Sequence, residues 1–164
     1  MKVSNIQFRD QLRAEDIGSV ENILRSTGFF NEEEVRVACG LLEESLPAEK
    51  ESGYLFLFAD SEERTLGYAC YGQIPCTQGS YDLYWIAVAE EARGKGIGKR
   101  LLEGVEQRVE AAGGRKLYIE TSGKPLYEPT RAFYERCGYK VCAVLEDFYA
   151  PGDAKVLFER GIHS

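Results

Sequence analysis

Six consecutive residues, Arg93-Gly94-Lys95-Gly96-Ile97-Gly98, combine three glycines with two cations. Lys99 and Arg100 follow directly, and no acid falls between Arg93 and Arg100. Glycines let the main chain turn its N–H groups toward a ligand at close range. The stretch lies between a β-branched and aromatic run, Leu83-Tyr84-Trp85-Ile86-Ala87-Val88, and a segment whose Leu101, Leu102, Val105 and Val109 recur at helical spacing. It therefore reads as the turn from a buried strand into an amphipathic helix. The opening turn of a helix adds unpaired N–H groups and the positive end of the macrodipole. Such an arrangement suits a phosphate-bearing ligand, a pyrophosphate above all. A turn that only joins strand to helix would not require three glycines and four cations.

The elements that would position this loop follow from the hydrophobic pattern. Val3–Arg9 alternates as a first strand. Ala14–Ser26 is an amphipathic helix with Ile17, Val20, Ile23 and Leu24 inward, closed by Gly28. Asn31 caps a second helix that carries Glu32, Glu33 and Glu34 in its first turn and runs to about Leu46. After a loop at Pro47–Gly53, Tyr54–Ala59 and Thr65–Tyr71 form a hairpin, and a loop at Gln73–Ser80 precedes the strand Tyr81–Val88. The glycine loop and a helix to about Ala112 lead through Gly113-Gly114 to a strand at Lys116–Thr121. That strand–helix–strand unit makes its two strands parallel. A short helix from about Pro129 to Cys137 stops at Gly138. Tyr139–Phe148 and Ala154–Arg160 then pair antiparallel around Pro151-Gly152-Asp153. The expectation is a single α+β domain over residues 1–164, its mixed, mostly antiparallel sheet of about seven strands holding one parallel pair in the middle and flanked by about four helices. Ligands of such sheets favour the carboxyl ends of the parallel strands, where the glycine loop lies.

Composition narrows the class. Of 164 residues, 44% are hydrophobic and 29% charged, as in ordinary globular domains. No apolar run approaches the ~18 residues of a membrane span, and the first residues lack the apolar core of a signal peptide. Five cysteines without metal-like spacing, and a lone His163, argue against a zinc site and for free thiols in a reducing cytoplasm. The net charge of −7 resides wholly in residues 1–64, with 14 acids against 7 bases, while residues 65–164 hold 13 of each. No broad basic face can be assembled, which disfavours nucleic acid. The excess acid either solubilises helix faces or attracts a cationic acceptor near the N-terminal segment.

A dinucleotide fold would also use a glycine loop, with Glu120 at the end of the next strand on a ribose. Here the third glycine comes one residue early, the loop sits mid-chain, and one strand–helix–strand unit is present where that fold builds on two halves. By contrast, Arg93-x-x-Gly96-x-Gly98 matches the [Arg/Gln]-x-x-Gly-x-[Gly/Ala] loop of the GNAT superfamily of N-acetyltransferases. Val88-Ala89-Glu90-Glu91-Ala92 resembles the entry to that loop, with glutamate where proline is common. Ala132-Phe133-Tyr134-Glu135-Arg136-Cys137-Gly138-Tyr139 resembles the helix end that follows in the same family. The resemblance is specific over Tyr81–Tyr139.

The resemblance implies acetyl transfer from acetyl-CoA to a primary amine of a small molecule, amino acid or peptide, a cationic one included, within a ternary complex. By the family's pattern, backbone N–H groups of Gly94, Lys95, Gly96, Ile97, Gly98 and Lys99, with Arg93 among the assisting cations, would hold the pyrophosphate. Main-chain groups of Ile86 and Val88 would pair with the pantetheine arm, the Val88 N–H polarising the thioester carbonyl. Tyr134 aligns with the family's acid for the leaving thiolate, or else is an aromatic core residue beside Phe133. Glu120 resembles the general base of peptide N-terminal acetyltransferases, at an offset differing by about two residues. A structural ion pair at Glu120, a base at Asp82, and deprotonation through water all stay open. Tyr127 and Thr130 stand where those enzymes carry Asn-x-x-Ala, so the arm would be gripped differently, Tyr127 taking part. Acceptor selection would fall to Phe29-Phe30, the acids from Glu32 to Glu34, and Phe148-Tyr149, unless the first pair simply plugs the sheet. A non-catalytic acyl-CoA sensor is the alternative from another class, and an acid at Tyr134 argues against it. Monomer and homodimer are both compatible with the sequence, in which no exposed apolar stripe stands out.

Overall fold

The computed structural model describes residues 5–162, so Val3 and Ser4 of the expected first strand, and His163, lie outside the described residues. Seven strands form one sheet in the order β1-β2-β3-β4-β5-β7-β6. The chain divides into two compact units: residues up to Gly72 with Trp85–Gln107, and Gln73–Tyr84 with the residues from Arg108 onward.

In the first unit, β1 (Gln7–Arg9), α1 (Asp16–Thr27) and α2 (Glu32–Ser45) precede the hairpin of β2 (Leu55–Asp60) and β3 (Thr65–Gln73). Helix α1 buries Val20, Ile23 and Leu24 and ends at Gly28, whose φ of 68° stops the helix. Ile17 is only half-buried. Asn31 caps α2 as expected: its side chain accepts from the Glu34 N–H at 2.8 Å, and Glu34 accepts from the Asn31 N–H at 3.1 Å. The segment expected as a loop at Pro47–Gly53 contains a single helical turn, α3 (Glu49–Ser52), closed by Gly53 at φ 83°.

Arg9 joins three elements, reaching Asp16 with two bonds of 2.9 Å and Asp60 at 2.8 Å. Burial alone would raise the Asp60 carboxyl, but hydrogen bonds from Arg9 and Thr65 outweigh it and hold the group below the usual aspartate range. Phe56 to Ala59 and Leu66 to Tyr71 are buried without alternation, so this part of the sheet is covered on both faces. At Gly67 a Cβ would lie 3.0 Å from Leu101 Cδ1 and 3.1 Å from the Ala87 carbonyl. Here a hydrogen lets the helix seat on the strand.

Strand β4 (Ser80–Val88), of which Ser80–Tyr84 belong to the second unit, pairs in parallel with β5 (Lys116–Ser122), Ser80–Leu83 opposite Lys116–Ile119. The ladder ends there, although β4 continues to Val88 and β5 to Ser122. Helix α4 (Ile97–Ala111) connects them and buries Leu101, Leu102, Val105 and Val109. A Cβ at Gly114 would sit 2.3 Å from Val109 Cγ1, which explains the glycine between helix and strand. After α5 (Glu128–Arg136), β6 (Lys140–Ala150) and β7 (Asp153–Gly161) pair antiparallel, and β7 also pairs with β5. The edge strand β6 exposes Val141, Val144, Leu145, Phe148 and Tyr149, an apolar stripe that the sequence did not reveal because β7 takes the inner place. No disulfide joins any of the five cysteines, all of which lie among the described residues. Among the described residues no helix is long and apolar enough to cross a membrane.

Candidate active site

The glycine loop belongs to the first unit. A 3-10 turn at Glu90–Ala92 leads into it. The turn is anchored by the Glu90 N–H donating to Ser26 Oγ at 3.1 Å and by an ion pair between Glu91 and Arg64. Gly94 and Gly96 have φ of 76° and 78°, values that L side chains rarely adopt. A Cβ at either would meet nothing within 4 Å, so the glycines serve conformation and leave their outer face open. Ile97 is 1% exposed; its side chain anchors the helix start, and only its main chain is left to meet a ligand. The Arg100 N–H bonds the Gly96 carbonyl at 3.1 Å, so the N–H groups just before it have no acceptor within the helix. Arg93 pairs with Glu90 at 3.2 Å, Lys99 stands 4.0 Å from Glu103, and Arg100 lies over the Phe8 ring. The loop's cations are exposed and loosely held, whereas its main chain is fixed.

Tyr134, in the second unit, is 5% exposed and packs against Phe133, Tyr139 and Phe158 at ring separations of 5.5, 6.4 and 5.6 Å. Burial, and secondarily Cys137, push its phenol well above the ordinary tyrosine range. The group thus stays protonated across physiological pH. Tyr134 is therefore a packed aromatic that keeps its proton.

Glu120 faces the other way. Ile119 opposes Phe158, on which Tyr134 packs, whereas Glu120 opposes Leu157, and strand alternation puts the two sets on opposite faces of β5 and β7. The Glu120 carboxylate is paired with Lys155 Nζ at 2.8 Å and accepts from the Tyr149 hydroxyl at 3.4 Å. Burial first, and the Glu120 charge second, push the Tyr149 phenol up to about 12. Asp82 opposes Tyr118, two residues before Glu120, and so shares its face. Its carboxyl is raised by burial first and by Glu120 second, and is lowered by Lys155. Tyr127, half-buried before α5, is near enough to influence Tyr149.

The structure thus gathers Glu120, Asp82, Tyr149 and Tyr127 within the second unit. Two of the acids of α2 are engaged within the fold, since Glu32 pairs with Arg25 and Glu34 completes the cap. Phe30 packs on Trp85 at 5.6 Å. Lys155 and Ser26 escaped the sequence reading, and no local pattern marks either. Among the described residues no group of His, Cys, Asp or Glu is placed to hold a metal.

The chain matches the model of the acetyltransferase (GNAT) family over residues 18–139. A crystal structure from Desulfovibrio desulfuricans, assigned to the GNAT family of acetyltransferases, is similar at a TM-score of 0.95 and 45% identity, covering 97% of this chain and 100% of that one. An aminoglycoside 6'-N-acetyltransferase complexed with coenzyme A is similar at a TM-score of 0.77 and 21% identity over 98% of each chain, a likeness of fold. Among curated proteins, the uncharacterized N-acetyltransferase YvbK of Bacillus subtilis is 29% identical over 77 residues, which are 47% of this chain and 48% of that protein. That match spans about half the length of the relative.

Proposed function

This chain belongs to the acetyltransferase (GNAT) family, and on that premise we propose that it transfers an acetyl group from acetyl-CoA to a primary amine of a small molecule, amino acid or peptide. Transfer is direct, within a ternary complex. The observation that carries the reading is the loop from Arg93 to Gly98. Two left-handed glycines with open outer faces run into the first turn of a fifteen-residue helix, an arrangement suited to a pyrophosphate.

Main-chain N–H groups of Gly94 to Lys99 hold the pyrophosphate, and Arg93, Lys95 and Lys99 supply diffuse positive charge. The main chain of Ile86 and Val88, beyond the end of the parallel ladder, pairs with the pantetheine arm. The Val88 N–H stabilises negative charge on the thioester oxygen. Glu120 takes a proton from the acceptor ammonium, with Asp82 on the same face as the competing carboxylate. The amine nitrogen forms its bond to the acetyl carbon and gives up its second proton to water, the carbon–sulfur bond breaks, and the Tyr134 hydroxyl gives its proton to the departing thiolate and regains one from solvent. Acid and base on opposite faces of the sheet suit a reaction in which the amine arrives from one side and the thiol leaves on the other.

A sensor without turnover has no use for a phenol kept protonated at Tyr134, which favours the enzyme. Release of free thiol from acetyl-CoA is measured against amines, amino acids and short peptides. The expected result is release that depends on one amine class. Acetyl-CoA binding with no release across the set moves the reading to a sensor, and absence of acetyl-CoA binding overturns both.

A further inference from the structure

An ammonium already sits on Glu120. Lys155 Nζ lies 2.8 Å from Oε2 of that carboxylate and 4.7 Å from the centroid of the Phe148 ring. The Tyr149 hydroxyl donates to the same oxygen at 3.4 Å, and Phe148 and Tyr149 meet edge to face at 5.0 Å and 88°. A carboxylate, an aromatic face and a neighbouring phenol form the environment that recognises an alkylammonium. The cation that fills it belongs to the chain itself. Register explains how: Lys155 opposes Ser122 of β5 and Leu145 of β6, which places it on the Glu120 face of the sheet. Its side chain is 22% exposed against 50% for Glu120, so the lysine is the more enclosed partner.

We propose, on the premise of acetyl transfer to an amine set out above, that Lys155 determines acceptor specificity: its ammonium occupies the place that a second cation on the acceptor would take, so the site admits monoamines and discriminates against diamines and polyamines. Both contacts to Glu120 fall on Oε2, and among the described residues none falls on Oε1. One oxygen is committed to Lys155 and the other is left for the amine that reacts. A diamine brings its second ammonium to a carboxylate already neutralised and beside a like charge. Asp82 offers no relief, because the charge of Lys155 reaches it too. Asp153, also near Tyr149, is engaged by the Ser122 hydroxyl and by Lys124 at 3.6 Å.

The test is calorimetric titration, without acetyl-CoA, of the wild type, Lys155→Met and Lys155→Arg with butylamine and with 1,4-diaminobutane. The probes have the same carbon chain and differ by one ammonium. The methionine keeps a stem over Phe148 without charge, and Lys155→Gln replaces it if the first variant melts early. The diaminobutane Kd is expected to tighten about tenfold in Lys155→Met and the butylamine Kd to move less than about threefold. Lys155→Arg should resemble the wild type, and adding Glu120→Gln should abolish the gain. A folded Lys155→Met whose diaminobutane affinity is unchanged or unmeasurable, or which gains equally for both probes, overturns the proposal. Failure of the transferase reading registers separately, as thiol release from no amine.

Discussion

In the loop from Arg93 to Gly98 the groups offered to a ligand are main-chain N–H groups, set by two positive φ angles and one buried anchor, Ile97. Around Glu120 they are side chains, drawn from β5, β7 and the tip of the β6–β7 hairpin and held by one another through an ion pair, a hydrogen bond and two ring contacts. The first arrangement tolerates changes of side chain and fails when the backbone is forced. The second depends on the particular polar atoms it brings together, on a hairpin that holds Asp147 at φ 55°. Binding of an invariant cofactor suits a main-chain cradle, and choice among acceptors suits exchangeable side chains.

The largest effect that sharpens this contrast is expected on the side-chain region. Glu120→Gln and Tyr134→Phe should each lower kcat by about 100-fold or more, while the acetyl-CoA Kd by calorimetry stays unchanged. A comparable loss of cofactor affinity would break the contrast. Next, Gly96→Val forces a β-branched residue into the left-handed region, at a cost of about 1–3 kcal/mol. Acetyl-CoA affinity should fall about 30-fold or more, whereas Lys95→Ala and Lys99→Ala each cost less than about fivefold. Larger losses from the lysines would mean that side-chain charge, and not the main chain, holds the pyrophosphate.

Asp60 and Glu120 are both carboxylates paired with a cation, one structural and one at the candidate site. Because the Asp60 pKa is depressed in the fold, its contribution is present above the ordinary aspartate range and is lost as pH falls through the lower folded value. Asp60→Asn should cost about 1–2 kcal/mol at neutral pH, and the deficit should vanish in strong acid; thermal melts at stepped pH read this directly. The smallest effect has the opposite sign. The Asp82 pKa is raised, so the fold gains stability as pH falls from above that value to the ordinary aspartate range. Asp82→Asn should therefore stabilise by about 0.5 kcal/mol at neutral pH and by nothing in acid, and a destabilised Asp82→Asn would show that the carboxylate form has a partner.

The loop was legible because its signal is local. Glycines, cations, a strand before and a helix after occupy one continuous stretch, and the Asn31 cap with Glu34 is equally compact. The order of most elements followed from hydrophobic periodicity for the same reason. The face around Glu120 was legible only in part. Its glutamate stood out, but the alternation that sets it opposite Tyr134 depends on the register of β5 against β7, and Lys155 reaches it only through that pairing. The Ser26 contact to Glu90 joins residues 64 positions apart. Sequence records the charge of Glu32 and Glu34 but not the Arg25 pair and the cap that engage them.

The inner place of β7 has a kinetic meaning. Strand β6 emerges during synthesis before β7, yet in the finished sheet it hydrogen-bonds β7 and has no place beside β5. It cannot add to a growing sheet edge in the order in which it is made. The edge of β5 stays open until β7 has been made, and β6 joins the sheet only through β7. Lys155 meets Glu120 when β7 pairs with β5, so the event that seals the sheet also completes the candidate acceptor face.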